Sequence, residues 1–163
     1  YVRRLLLVGA GEQKADQAAS VLACLQNVRT SHMAVAKHLR VDLAWQFDEK
    51  LGDYCVQDGA TFSAAVSNLV LNGLQAATAV RVHTQLLQAN TCVVTVSDNG
   101  PGISPSVAEQ LFEPFISTKP EGMGLGLPLV RRAADKLSGQ VKWNRRENRT
   151  IFEFHCKVAA CPT

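Results

Sequence analysis

The chain carries Asp98-x-Gly100-x-Gly102 within VSDNGPGIS (Val96 to Ser104) and Gly122-x-Gly124-x-Gly126 within EGMGLGLPLV (Glu121 to Val130). Ahead of both, SNLVLNGLQAA holds Asn68 and Asn72. Asp98 follows the apolar run VVTVS, so its carboxylate emerges at a strand end, where a buried acceptor can take the exocyclic amino hydrogen of adenine. Guanine would set a carbonyl against that carboxylate and leave two acceptors unpaired, which is costly in a desolvated site. Gly100 and Gly102 lack a Cβ, so their backbone can approach a base and take positive φ, and Pro101 stiffens the loop between them. The second glycine set runs into a helix start, whose unpaired N–H groups and positive dipole end favour a polyphosphate. Lys119, just upstream in ISTKP, can add its ammonium. Each piece also has a plain reading, Asn99-Gly100 as a turn and the two asparagines as a solvated helix face. Their order is what reads as nucleotide chemistry.

That ordered set resembles the catalytic, ATP-binding domain of bacterial sensor histidine kinases, within the group that also holds gyrase, Hsp90 and MutL ATPases. SNLVLNG looks like the asparagine box, DNGPG like the first glycine box, LFEPFISTK (Leu111 to Lys119) like the phenylalanine box and GMGLGL like the second glycine box. The resemblance implies ATP held by Asn72, Asp98, Gly100, Gly102, Ile103, Phe115, Lys119, Gly122, Gly124, Leu125, Gly126 and Leu127. It implies catalytic roles for Asn68, Asn72 and Lys119, and Mg²⁺ on the side-chain oxygen of Asn72, a hard cation that prefers oxygen and keeps several waters. In the ATPase branch position 68 is a glutamate that activates water, whereas Asn68 has no basic carboxylate. Transfer to a histidine fits better, because a neutral imidazole is already nucleophilic and needs less base assistance. The alternatives are a hydrolytic or conformational ATPase and a non-catalytic nucleotide-binding regulatory module. Met123 and Gly73 depart from the family pattern, which commonly has threonine and alanine there.

The partners implied are the protein's own dimerisation and phosphoacceptor domain and a response-regulator receiver domain, with the fragment monomeric, its parent homodimeric and this domain in the cytoplasm. The acceptor histidine itself is missing. His32, His38, His83 and His155 are followed by Met, Leu, Thr and Cys, without the acidic neighbour of the acceptor motif.

The elements that must position these residues follow from periodicity. Asp16 to Arg40 has no glycine or proline and repeats apolar residues at helical spacing, with Thr30-Ser31 as a point of interruption. VDLAWQF (Val41 to Phe47) alternates as a strand, and DEKLGD turns into a second strand at Tyr54 to Val56. Asp58 caps a helix from Ala60 to Ala77 that buries Phe62, Val66, Leu69, Val70, Gly73, Leu74 and Ala77, leaving Asn68 and Asn72 opposite. Val80 to Gln88 and Thr91 to Ser97 form a hairpin, and a short helix runs from Ser106 to Leu111. Gly126-Leu127-Pro128 opens a helix with Leu129, Val130, Ala133 and Leu137 inward and Gly139 as its stop. A last hairpin runs Gln140 to Asn144, a turn through RREN, and Thr150 to Val158.

With 163 residues, 47% of them hydrophobic and 19% charged, the chain suffices for one core. Residues 1–10 read as the tail of an upstream helix or a linker, and 11–160 as the domain. A net charge of +3, scattered apart from short arginine pairs, gives no support to a nucleic-acid partner. Five cysteines, with no Cys-x-x-Cys pair, read as reduced cytosolic thiols. The fold expected from the resemblance is an α/β two-layer sandwich of the Bergerat type. It has a mixed, mostly antiparallel sheet covered on one face by three helices.

Overall fold

A computed structural model describes residues 17–88, 90–114 and 126–163; the expected tail at residues 1–10 lies outside them. The first element, β1 (Ala19–Ser20), leads straight into α1 (Val21–Leu39). The Ser20 side chain caps that helix by accepting from the Ala23 amide at 3.2 Å. The start expected at Asp16 is thus displaced, because Ala19 and Ser20 pair with a strand instead. Nor is there a break at Thr30-Ser31. Their hydroxyls donate to the carbonyls of Gln26 and Asn27, four residues back, and the helix runs through.

The strand β2 (Asp42–Gln46) is followed by a 3₁₀ turn (Glu49–Asp53), β3 (Tyr54–Val56) and α2 (Gly59–Ala76). Then come β4 (Ala79–Leu87), β5 (Thr91–Asp98), the short α3 (Pro105–Ala108) and α4 (Gly126–Lys136). The chain closes with β6 (Gln140–Arg146), β7 (Arg149–Lys157) and β8 (Ala159–Ala160). The main sheet has the order β2-β4-β5-β7-β6; β2 and β4 are parallel and every other pair antiparallel.

Its register explains the two layers. Val82, Val96, Phe152 and Trp143 lie side by side on four strands, and the next row is His83, Thr95, Glu153 and Lys142. Alternation therefore gives one apolar and one polar face. Helices α1, α2 and α4 cover the apolar face, as expected, with Phe62 of α2 set against Phe154 of β7 at 6.2 Å between ring centroids. Each such buried aromatic or aliphatic side chain contributes about 1.5–3 kcal/mol.

Three details correct the sequence reading. On α4, Pro128 and Ala134 join the buried side with Val130 and Ala133, whereas Leu129 is half-buried. The helix stops with Ser138 at φ 56°, and Gly139 is needed for closeness instead, since a Cβ there would overlap the His155 carbonyl. The last turn is Glu147-Asn148, with φ of 51° and 59°, the pattern of a two-residue hairpin turn. Arg145 and Arg146 consequently belong to a strand.

A second sheet, β1-β3-β8, went unforeseen and sets Ala19–Ser20 and Ala159–Ala160 on either side of Tyr54–Val56. It also overturns the expectation for the thiols. Cys55 pairs with Ala159 across β3 and β8, the Cys161 amide donates to the Asp53 carbonyl at 2.8 Å, and Cys55 and Cys161 form a disulfide. Two-residue strands carry no periodic signal, so neither this sheet nor the pairing is legible in the chain. Cys24, Cys92 and Cys156 are free and buried. Cys156 beside Cys92, together with burial, holds the Cys92 thiol far above its ordinary range, and burial likewise raises Cys24.

Candidate functional site

The last residue of β5 is Asp98, and only 7% of it is exposed. The Gly100 amide donates to its Oδ1 at 2.8 Å, so the loop folds back onto the carboxylate. Asn99 ties the loop down on the other side. Its Oδ1 accepts from the Thr78 and Ala79 amides at 3.0 and 2.9 Å, and its backbone N–H donates to the Ala79 carbonyl. Asp98 is therefore not the polar shoulder of an ordinary surface turn, because it is buried and Asn99 beside it is fixed to the start of β4.

The two loop glycines do different work. A Cβ on Gly100 would stand 2.7 Å from the Ala76 carbonyl oxygen at the end of α2, so this glycine is required by proximity. Gly102 has φ +89°, so this one is required by conformation. Gly73 belongs with Gly100. Its Cβ would meet Val80 side-chain carbons at 3.1 and 3.2 Å and the Asp98 Cβ at 3.6 Å, so α2 settles on the sheet beside Asp98. This close packing accounts for the glycine where the family commonly has alanine.

On α2, Asn68, Asn72 and Ala76 follow at intervals of four and form one stripe, ending where the Ala76 carbonyl faces Gly100. Asn68 is 5% exposed and Asn72 half-buried. The reading of Asn68 as part of a solvated face is corrected: α2 lies between α1, α4 and the sheet, so its side opposite the apolar stripe is covered as well. Ile103 is half-buried against the core, as is Phe112, next to the buried Leu111. Gly126 begins α4 and is buried, with Leu127 half-buried beside it. Phe115, Lys119, Gly122, Gly124 and Leu125 lie outside the described residues.

Two residues that the sequence did not single out stand next to this loop. Thr150, 3% exposed, lies opposite Asp98 on β7, and Arg145 lies opposite Thr150 on β6. Arg145 Nη1 donates to the Gly100 carbonyl and to the Thr150 hydroxyl, each at 2.9 Å. Placing the hairpin turn at Glu147-Asn148 would have revealed the row, since register then follows by counting outward. The histidines are ordinary packed or surface residues where their contacts are seen. His32, for example, joins the Val28 carbonyl and the Ser67 hydroxyl at 2.9 and 3.1 Å.

A buried strand-end carboxylate, a glycine loop folded onto it and an asparagine stripe on the adjoining helix are the arrangement expected of a histidine kinase- and gyrase-like ATPase domain. A family model described as histidine kinase-, DNA gyrase B- and HSP90-like ATPase matches residues 57–160, and the chain belongs to that family. It is 35% identical over 118 residues to the C4-dicarboxylate transport sensor protein DctS of Rhodobacter capsulatus, covering 69% of this chain and 18% of DctS. With the signal transduction histidine-protein kinase AtoS of Escherichia coli (strain K12) it shares 26% identity over 144 residues, 86% of this chain and 24% of AtoS. The chain thus spans less than a quarter of either relative. Its fold matches the catalytic domain of histidine kinase ThkA with a TM-score of 0.75 at 24% identity, over 86% of this chain and 94% of that one. Full-length ShkA in complex with AMPPNP gives a TM-score of 0.78 at 21% identity, over 90% of this chain and 32% of that one.

Proposed function

We propose that this domain binds Mg-ATP and donates the γ-phosphoryl group to a histidine on a separate dimerisation and phosphoacceptor domain of a two-component sensor kinase. The observation that carries the proposal is Asp98, buried at the end of β5 with the Gly100–Gly102 loop folded onto it. There the carboxylate accepts the adenine amino hydrogen, and Gly102 and Ile103 flank the base. The Asn68 and Asn72 stripe suits a hard cation, since amide oxygens are ligands of the right kind and neither residue adds a competing charge. Asn72 would hold Mg²⁺ together with phosphate oxygens, and the ion would supply neutralisation of phosphate charge. Asn68, lacking a carboxylate, orients without abstracting a proton from water, so catalysis rests on positioning.

Lys119, Gly122, Gly124, Leu125, Gly126 and Leu127 are proposed to enclose the triphosphate, with Phe115 anchoring the segment. Residues 11–160 are proposed as the catalytic unit and 1–10 as the join to upstream sequence. The homodimeric parent would pass its phosphoryl group to a response-regulator receiver domain, and this domain would lie in the cytoplasm. No helix among the described residues is long and apolar enough to cross a membrane. Mixing the chain with candidate acceptor helices and γ-labelled ATP tests the proposal. Acid-labile, base-stable label on the acceptor is the expected result. Steady phosphate release without such label would point to a hydrolase instead.

A further inference from the structure

Arg145 is an exposed arginine of β6, and the two oxygens it binds both lie beside the Gly100–Gly102 loop. Its Nη1 donates to the Gly100 carbonyl and the Thr150 hydroxyl, each at 2.9 Å. Its guanidinium also fills the space outside Gly102, where a Cβ would come within 3.2 Å of Cζ and 3.3 Å of Nε. On the opposite side the Ala76 carbonyl presses on Gly100, with a Cβ there reaching 2.7 Å. The loop is thus held between the end of α2 and a side chain from β6. Strand register makes this possible, because Asp98, Thr150 and Arg145 occupy one row across β5, β7 and β6.

We infer that Arg145 is a positioning residue for nucleotide binding, which clamps the Gly100–Gly102 loop in the form that receives the base. The inference rests on the proposal that adenine docks at Asp98. Gly102 has more backbone conformations open to it than any other residue type, so an unclamped loop would be ordered only when ligand binds, at the expense of affinity. A charged hydrogen bond to the Gly100 carbonyl and a planar group over Gly102 restrict that freedom beforehand. Accepting from Arg145 also turns the Thr150 hydroxyl hydrogen away from the guanidinium. The effect belongs to the base-binding end and is independent of phosphate charge.

Arg145→Met keeps most of the side-chain length and removes every donor. Titrating the 163-residue chain and this variant with ATP, ADP and adenosine separates the explanations. The expected result is a rise in Kd of about 10-fold for all three ligands alike, the size expected when a charged hydrogen bond that pre-orders a loop is lost. The thermal midpoint should stay essentially unchanged, because an exposed arginine contributes little to stability. Arg145→Lys, which keeps the charge and lacks the planar fork, should recover only part of the affinity. Weakened ATP and ADP with unaltered adenosine would make Arg145 a phosphate contact and overturn the inference. So would unaltered Kd for all three, with or without a lower midpoint. Failure of the unsubstituted chain to bind either ATP or adenosine would instead overturn the docking of adenine at Asp98, and the inference with it.

Discussion

The two ends of α2 are fastened by different means. At its N-terminal end Asp58, 1% exposed, caps the helix by accepting from the Thr61 amide at 3.1 Å and binds the Lys136 ammonium of α4 at 2.7 Å. Just upstream, Cys55 is joined to Cys161. The C-terminal end is held by close approach. Glycines let it approach closely, Gly73 toward Val80 and Asp98, and Gly100 toward the Ala76 carbonyl. Charge and covalent bonding hold the first end whether or not a ligand is present. Close backbone packing holds the second end, beside which lie Asn72 and Asp98, the residues proposed to meet the ligand. Stability and ligand affinity should therefore respond separately to changes at the two ends.

The largest effect expected lies at the ligand end. Asp98→Ala should weaken ATP binding by at least about 1,000-fold, the scale of losing a buried charged acceptor that reads the base. His83→Ala, on the polar face of the sheet, should retain binding, and calorimetric titration of both variants checks the contrast. Asp98→Ala that still binds ATP tightly would remove the distinction between the two ends.

At the other end, reduction of Cys55–Cys161 opens a link spanning 106 residues of sequence. It should lower the free energy of unfolding by about 3 kcal/mol, seen as an earlier denaturant midpoint with dithiothreitol present. Lys136→Met should cost about 2 kcal/mol, less than a fully buried pair because the lysine side chain is 44% exposed. ATP affinity should change by no more than about 2-fold in either experiment, since neither alters the Asp98 loop. A loss of affinity matching the loss of stability would show that the ends are coupled.

The smallest effect concerns Asp48, whose oxygens accept from the Leu86 amide at 2.9 Å and the Lys50 amide at 3.1 Å. The Leu86 hydrogen bond is the main reason that its carboxyl lies below the usual carboxylate range. A depressed folded-state pKa contributes stability that is present above the unfolded pKa and is lost as pH falls through the folded one. Asp48→Asn should accordingly be slightly less stable than the unsubstituted chain at neutral pH, and the gap should close as pH falls through the depressed pKa, as read from denaturant midpoints at the two ends of that range.

Much of the arrangement was legible before any coordinates. The asparagine spacing, the strand ending at Asp98 and the Asp58 cap are local features, each set by side chains within a turn or two of one another. The alternation in β4 and β5 likewise separates the faces of the main sheet by a rule that needs no partner. Arg145 was misplaced because RREN offers no glycine to mark the turn, while Glu147 and Asn148 both take positive φ. A shift of the turn by two residues was enough to remove Arg145 from its strand.

By itself, then, the chain determined the long helices and the strands of the main sheet, with their order, because capping, periodicity and glycine placement act over short distances. Only the tertiary structure decided that Asn68 is covered, that Cys55 meets Cys161 and that Asp98, Thr150 and Arg145 share a row. Those relations join segments far apart in sequence. They are fixed by strand register and by how closely helices settle on the sheet, which depend on the packing of the whole core.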